Sequence, residues 1–217
     1  MKHSAVLATV LLVAGCSGGG GPAGDGGAGP SGTATLTAPS TTTPSAEAAG
    51  PTSGQSAVPT EKNPPGDIPD NIAFVRYTNT AGKYAFTHPE GWAETTKVST
   101  VTFTDKLNGV QVFLGKLTTP PSVDSAKQQD VAALRSSQAA FELRTVTAAT
   151  VPAGTGVRIV YRRNSAPDPV TGRQYRDEVE RYELVSGGRE IIVELFGPVG
   201  SDNVDAYRTM ITSLKLS

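Results

Sequence analysis

No aromatic residue precedes Phe74 in this chain of 217 residues; all six Phe, all six Tyr and the single Trp lie at or beyond it. Cores are packed from large apolar side chains, so only the last two-thirds of the chain can fold around one. One domain of ordinary size results, residues 70–217. Residues 17–66 are the opposite case: 42 of these 50 are Gly, Pro, Ala, Ser or Thr, with Leu36 and Val58 the only larger aliphatics. Such a stretch buries too little apolar surface to offset its ordering entropy. Residues 16–69 therefore read as a disordered tether, and a Gly/Ser-like coil of that length spans about 40 Å. The Thr-rich run Thr33–Ser45, with Pro39 and Pro44, also suits O-linked sugar.

The first 15 residues read as a signal. Met1–Ser4 carries Lys2, the run Ala5–Ala14 is apolar, and Gly15 and Cys16 follow. This run of ten residues, apolar except for Thr9, is too short for a bilayer-spanning helix, which needs about 20. Val13-Ala14-Gly15-Cys16 resembles the lipobox of bacterial lipoproteins, which implies that the Cys16 thiol receives a diacylglycerol and becomes the new N-terminus after cleavage. Cys16 is the only cysteine, which excludes an intrachain disulfide. Two or three acyl chains hold a protein far more firmly than one, each buried methylene adding about 0.8 kcal/mol. The expected location is the extracytoplasmic face of a cell membrane.

Charge excludes one class of partner. The net charge is −1, and residues 70–217 hold 17 Lys and Arg against 16 Asp and Glu. A nearly neutral domain gives nucleic acid no electrostatic reason to bind.

Past Pro69 the pattern becomes short alternating segments. Ile72–Tyr77 and Lys83–His88 read as strands joined by a turn over 79–82, and Pro89-Glu90-Gly91 sets a second turn. Val98–Thr104 alternates Val101 and Phe103 with Thr100, Thr102 and Thr104, and Asn108-Gly109 signals a hairpin into Val110–Leu114. Ser122–Leu143 reads as a helix capped by Ser122, with Val131, Leu134 and Phe141 on one face. Strands return over Val157–Arg162, Arg173–Val185 and Arg189–Phe196, the last two joined by Gly187-Gly188. A closing helix spans Ser201–Leu214, with Val204, Tyr207, Ile211 and Leu214 as its apolar stripe. The order of strands, helix, strands, helix predicts an α+β domain with an antiparallel sheet covered by helices.

Residues able to do chemistry are scarce. After cleavage one histidine remains, His88, and beside Pro89 at a strand end it reads as a core or turn residue. No Gly-x-Ser-x-Gly elbow occurs in residues 70–217, and no tightly spaced His, Cys and carboxylate set suits zinc. No catalytic residue, metal site or cofactor is expected. The densest charges are Asp177, Glu178, Glu180 and Glu183 on one strand. Alternation places Glu178 and Glu180 on one face, Asp177 and Glu183 on the other. With Arg176 and Arg181 between them, and Arg158, Arg162 and Arg163 opposite, they read as a solvent-side ladder of cross-strand ion pairs.

Gly82-Lys-Tyr-Ala-Phe-Thr-His-Pro-Glu-Gly-Trp92 resembles the signature of the PsbP/Mog-type family, in which an aromatic strand runs into a Pro-x-Gly-Trp corner. Val101–Asp105, Gly154–Tyr161 and Ile211–Leu216 add to the likeness, which covers most of residues 72–217. The resemblance implies an antiparallel sheet sandwiched between helices and points to the family's bacterial lipoprotein (LpqN-like) branch. Functions differ across that family, so the fold implies no single activity. The expectation is a non-catalytic envelope lipoprotein whose domain binds a protein partner. The alternative is a carrier of a small apolar or lipidic ligand, which requires a closed apolar cavity of several hundred Å3.

Overall fold

The computed structural model describes residues 54–62 and 66–217. The signal 1–15, Cys16 and the remainder of the tether lie outside the described residues. No helix among the described residues is long and apolar enough to cross a membrane.

The domain is built mostly from antiparallel strands. The larger sheet has seven, in the order β3 (Ala93–Lys97), β4 (Thr100–Asp105), β5 (Asn108–Leu114), β9 (Arg189–Pro198), β8 (Arg176–Ser186), β7 (Gly154–Asn164) and β6 (Glu142–Val151). A smaller sheet joins β1 (Phe74–Asn79), β2 (Tyr84–Pro89) and the short β10 (Lys215–Leu216). Three helices complete the fold: α1 (Val123–Gln128), α2 (Asp130–Ser137) and α3 (Val204–Ser213).

Alternation divides the large sheet into two faces. One carries Val101, Phe103, Val110, Val112, Leu184, Ile191, Val193 and Leu195. Against it pack Tyr84 and Phe86 of the small sheet, Trp92, and Tyr207, Met210 and Ile211 of α3. The expected corner forms here: Gly91 has φ +83° and Trp92 is buried beneath it. The other face is covered over β6, β7 and β8, where Ala126, Val131 and Leu134 of α1 and α2 meet Val157, Ile159, Tyr161 and Val179. The small sheet shares one side with α3, and α1–α2 cover only part of the other.

Several local expectations are corrected. The Ser122–Leu143 helix is two short helices meeting at Gln129, and it ends at Ser137. Ser122 caps the first of these as expected, its side chain accepting from the Ser125 N–H. Leu143 belongs to β6, a strand favoured by its β-branched Thr145, Val146, Thr147, Thr150 and Val151. Residues Val98 and Ser99 form a turn between β3 and β4, with Val98 at φ +55° and fully exposed. The next hairpin turns at Lys106-Leu107, since Asp105 pairs with Asn108. Asn108 is a buried strand residue, donating to the Gly66 carbonyl and accepting from the Asn203 amide. Val204 is exposed, whereas Tyr207, Ile211 and Leu214 are buried. Gly187 and Gly188 turn at φ +57° and +73°, as their sequence predicts.

The described end of the tether lies along the domain. Asn164 receives the Val58 N–H and donates its amide to the Ser56 carbonyl, while Glu61 pairs with Arg173. Ile68 is a core residue whose N–H donates to Asn203 Oδ1.

Candidate functional site

On the face that α1 and α2 cover, the covering stops short of β3, β4 and β5. One register row crosses all seven strands: Thr95, Thr102, Gln111, Glu194, Arg181, Ile159 and Val146. Its apolar end is beneath the helices. Its other end is threonine and glutamine at a partly open surface, tied by a 3.2 Å bond from Gln111 Nε2 to Thr102 Oγ1. Thr100 and Thr104 extend this polar half-face, beside an open cleft of about 360 Å3.

Where covered and bare halves meet, the sheet buries a charge cluster. Arg181, 14% exposed in its side chain, donates from Nε to Glu183 Oε1 at 2.5 Å and from Nη1 to Glu194 Oε1 at 2.7 Å. Its guanidinium also lies 5.5 Å from the centroid of the Phe113 ring. Tyr161 donates its hydroxyl to Glu194 at 3.2 Å. Arg163 sits 3.8 Å from both Asp177 and Glu194, above Phe196, and donates to Gln138. A second open cleft, about 270 Å3, adjoins Arg163, Phe196, Gln111 and Thr102.

Carboxylates outnumber the cations at this boundary. Asp177, Glu183, Glu190 and Glu194 are all buried, facing Arg163 and Arg181. Removal from water pushes Asp177 up to about 7 despite Arg163 and Arg176 nearby, and Glu183 up to about 6. Burial, with the neighbouring Glu194 charge, also raises Tyr161.

The predicted face assignment on β8 is correct. Glu178 and Glu180 share one face, where Arg162 bonds Glu178 and Arg158 bonds Glu180 at 3.0 and 2.5 Å. That side is the expected cross-strand ladder. The side of Asp177 and Glu183 is buried, on the face that α1 and α2 partly cover, and Arg181 pairs inward rather than to solvent. Sequence reading missed Glu190 and Glu194, which sit in a strand otherwise as apolar as Ile191, Ile192, Val193, Leu195 and Phe196. The register puts them with Ile192 and Phe196 on the face of Arg181.

His88 is a core residue as expected. Its ring stacks on Phe103 with centroids 3.8 Å apart, and Nδ1 lies 2.9 Å from the Pro89 carbonyl. Burial lowers its pKa below the ordinary value. Cys16 lies outside the described residues.

No protein-family model matches the chain, and no curated protein matches it. Solved structures do match. The PsbP of the cyanobacterium Synechocystis is similar at 17% identity and TM-score 0.45, over 67% of this chain and 94% of that one. The Ran-binding protein Mog1p of Saccharomyces cerevisiae is similar at 7% identity and TM-score 0.44, over 67% and 96%. LpqN of Mycobacterium tuberculosis, involved in cell envelope biogenesis, is similar at 11% identity and TM-score 0.39, over 68% and 92%. PsbP, Mog1p and LpqN, three of the solved structures similar to this chain, bear the names to which the resemblance of Gly82–Trp92 pointed.

Proposed function

We propose that this chain is an envelope lipoprotein, held on the extracytoplasmic face of a membrane through acylated Cys16, whose domain binds a protein partner without catalysis. The observation that carries the binding reading is the half-bare sheet face. Thr95, Thr102 and Gln111 continue the register row of a covered sheet, yet Thr95 is exposed and Thr102 and Gln111 are only half-buried, at the edge of open clefts. A broad polar surface beside desolvated charges suits a protein surface, which supplies both shape and hydrogen bonds. The clefts on this face are open and lined by threonine, glutamine and charged side chains. An apolar cargo calls for an enclosed apolar cavity instead. Non-catalytic binding fits the fate of the reactive residues: His88 is packed on Phe103, and Arg181 is held between Glu183 and Glu194.

Anchoring rests on Val13–Cys16 and has its own test. Cys16→Ser is expected to move the protein from the membrane fraction to the soluble extracytoplasmic fraction, and to abolish incorporation of labelled fatty acid. Unchanged membrane partition and labelling would refute the lipid anchor.

For the face, full-length lipidated protein is cross-linked in cells and its neighbours are identified by mass spectrometry. The wild type is expected to enrich one protein that Thr102→Arg loses at least fivefold. This half-buried site leaves stability within about 1 kcal/mol, since the long side chain extends into the open cleft. Equal recovery by wild type and a folded variant, or no recovery by either, overturns the reading.

A further inference from the structure

At the β5 end of the same face lies an open cleft of about 550 Å3 between the loop after β5 and the start of α2. Phe113, Lys116, Asp130, Arg181, Glu183 and Glu190 line it. Its charge is unbalanced. Arg181 is already engaged, with Nε on Glu183 Oε1 and Nη1 on Glu194 Oε1. Glu190 Oε2 accepts the Leu117 N–H at 2.9 Å. The remaining oxygen of Glu183, Oε2, has no hydrogen-bond partner among the described residues, although the side chain is only 1% exposed. A buried carboxylate oxygen without a donor costs roughly as much as a lost charged hydrogen bond, so a missing donor is the simplest account of it.

We infer that this cleft receives a basic side chain of the protein partner, whose cationic head donates to Glu183 Oε2 and lies between Asp130 and Glu190. The inference rests on the protein-binding reading above and gives the partner a chemistry. Charge favours a cation, since Asp130 and Glu190 face Glu183 and both oppose its ionisation. No group of three metal-ligating side chains occurs among the described residues, so a cation carried on a side chain suits the cleft better than a bare ion. A lysine or arginine stem then lies along Phe113 and Ile192, which line the same cleft. Residues 17–53 of the tether contain neither Lys nor Arg, and its one lysine, Lys62, does not line this cleft. Lys116 belongs to the cleft wall and forms no ion pair among the described residues.

The test uses the full-length lipidated protein in non-ionic detergent micelles, with terminally blocked, fluorescein-labelled hexalysine as probe and fluorescence polarisation as readout. Saturable binding is expected, displaced by unlabelled hexalysine and not by hexaglutamate. Glu183→Gln and Asp130→Asn should each weaken it at least fivefold. Carbodiimide should couple probe lysines to Glu183, Asp130 or Glu190, as identified by peptide mass spectrometry. Circular dichroism checks that each variant is folded, and if Glu183→Gln is not, Asp130→Asn at the start of α2 decides. Unchanged affinity in the folded variants, or coupling confined to other carboxylates, overturns the inference. The two proposals fail separately. A cellular partner captured equally by wild type and Glu183→Gln, but lost with Thr102→Arg, removes this cleft and leaves the protein-binding face standing.

Discussion

Replacing Arg181 with methionine is expected to lower the unfolding free energy by about 3–5 kcal/mol at pH 8, measured by urea denaturation, because the substitution leaves buried Glu183 with no counter-ion and Glu194 with only the distant Arg163. Arg181 bridges Glu183 and Glu194, which are themselves 1% and 6% exposed in their side chains. Methionine fills much of the space and keeps the contact with Phe113, so the loss reports charge rather than a cavity. Glu194 retains the Tyr161 hydroxyl and a distant Arg163, whereas Glu183 retains no donor, so Glu183 dominates the penalty. The loss should shrink towards pH 5, where the stranded carboxyls take up protons and the charge they bury disappears. Adding Glu183→Gln and Glu194→Gln to Arg181→Met should restore most of the stability at pH 8, since no ionised group is then left unpaired. A loss below about 1 kcal/mol, or one equal at both pH values, would show that the cluster is solvated rather than buried.

How much of this cluster was legible follows from the periodicity of strands. Side chains alternate strictly, so the faces of Asp177, Glu178, Glu180 and Glu183 were readable from spacing alone, whereas the pairing of Arg158 with Glu180 and Arg162 with Glu178 comes from the register. The Pro89–Trp92 corner and the buried Tyr207, Ile211 and Leu214 of the closing stripe were legible for similar reasons, being set by local backbone and by helical spacing, whereas Val204 is exposed. What spacing does not carry is which face another element will cover. Asp177 and Glu183 look like surface residues until β9 and α1–α2 are placed. Glu194 looks like an interruption in an apolar strand until Arg181 is found across from it in the neighbouring strand, and Glu190 until the cleft it lines beside Arg181 and Glu183 is in view. Strand β6 escaped because Leu143, Val146, Ala149 and Val151 are only half-buried at a sheet edge, and so present a weak alternation. Val98 carries a β-branched side chain at positive φ, a conformation local propensity argues against, which displaced the expected strand start by two residues.

Asp177→Asn should stabilise the protein at pH 8, and the gain should vanish below about pH 4. The carboxyl is buried and has Arg163 only at 3.8 Å, with desolvation raising it to about 7 from an ordinary 3.8. A folded-state pKa above the unfolded one means that the native protein holds the proton more tightly. Below pH 3.8 both states are protonated and Asp177 makes no difference. As pH rises towards 7 the unfolded chain releases its proton first, so native stability falls through that window and stays low above it. Asparagine keeps the shape and has no proton to lose, which removes this slope. Each pH unit between the unfolded and folded pKa values is worth about 1.4 kcal/mol, so the gain at pH 8 is of order 2–4 kcal/mol. Arg163 does not lose its place in the variant, since Gln138, Glu194 and the Phe196 ring still hold it. His88 acts in the opposite direction: its lowered pKa makes stability fall as pH drops through the unfolded value of 6.5. The wild-type profile is therefore a sum of opposing slopes. The difference between wild type and Asp177→Asn isolates one of them, and urea denaturation at half-unit intervals from pH 4 to 8 measures it. A difference that is flat with pH, or one that grows towards acid, would mean that Asp177 is ionised in the native state throughout and that Arg163 holds it more closely than 3.8 Å implies.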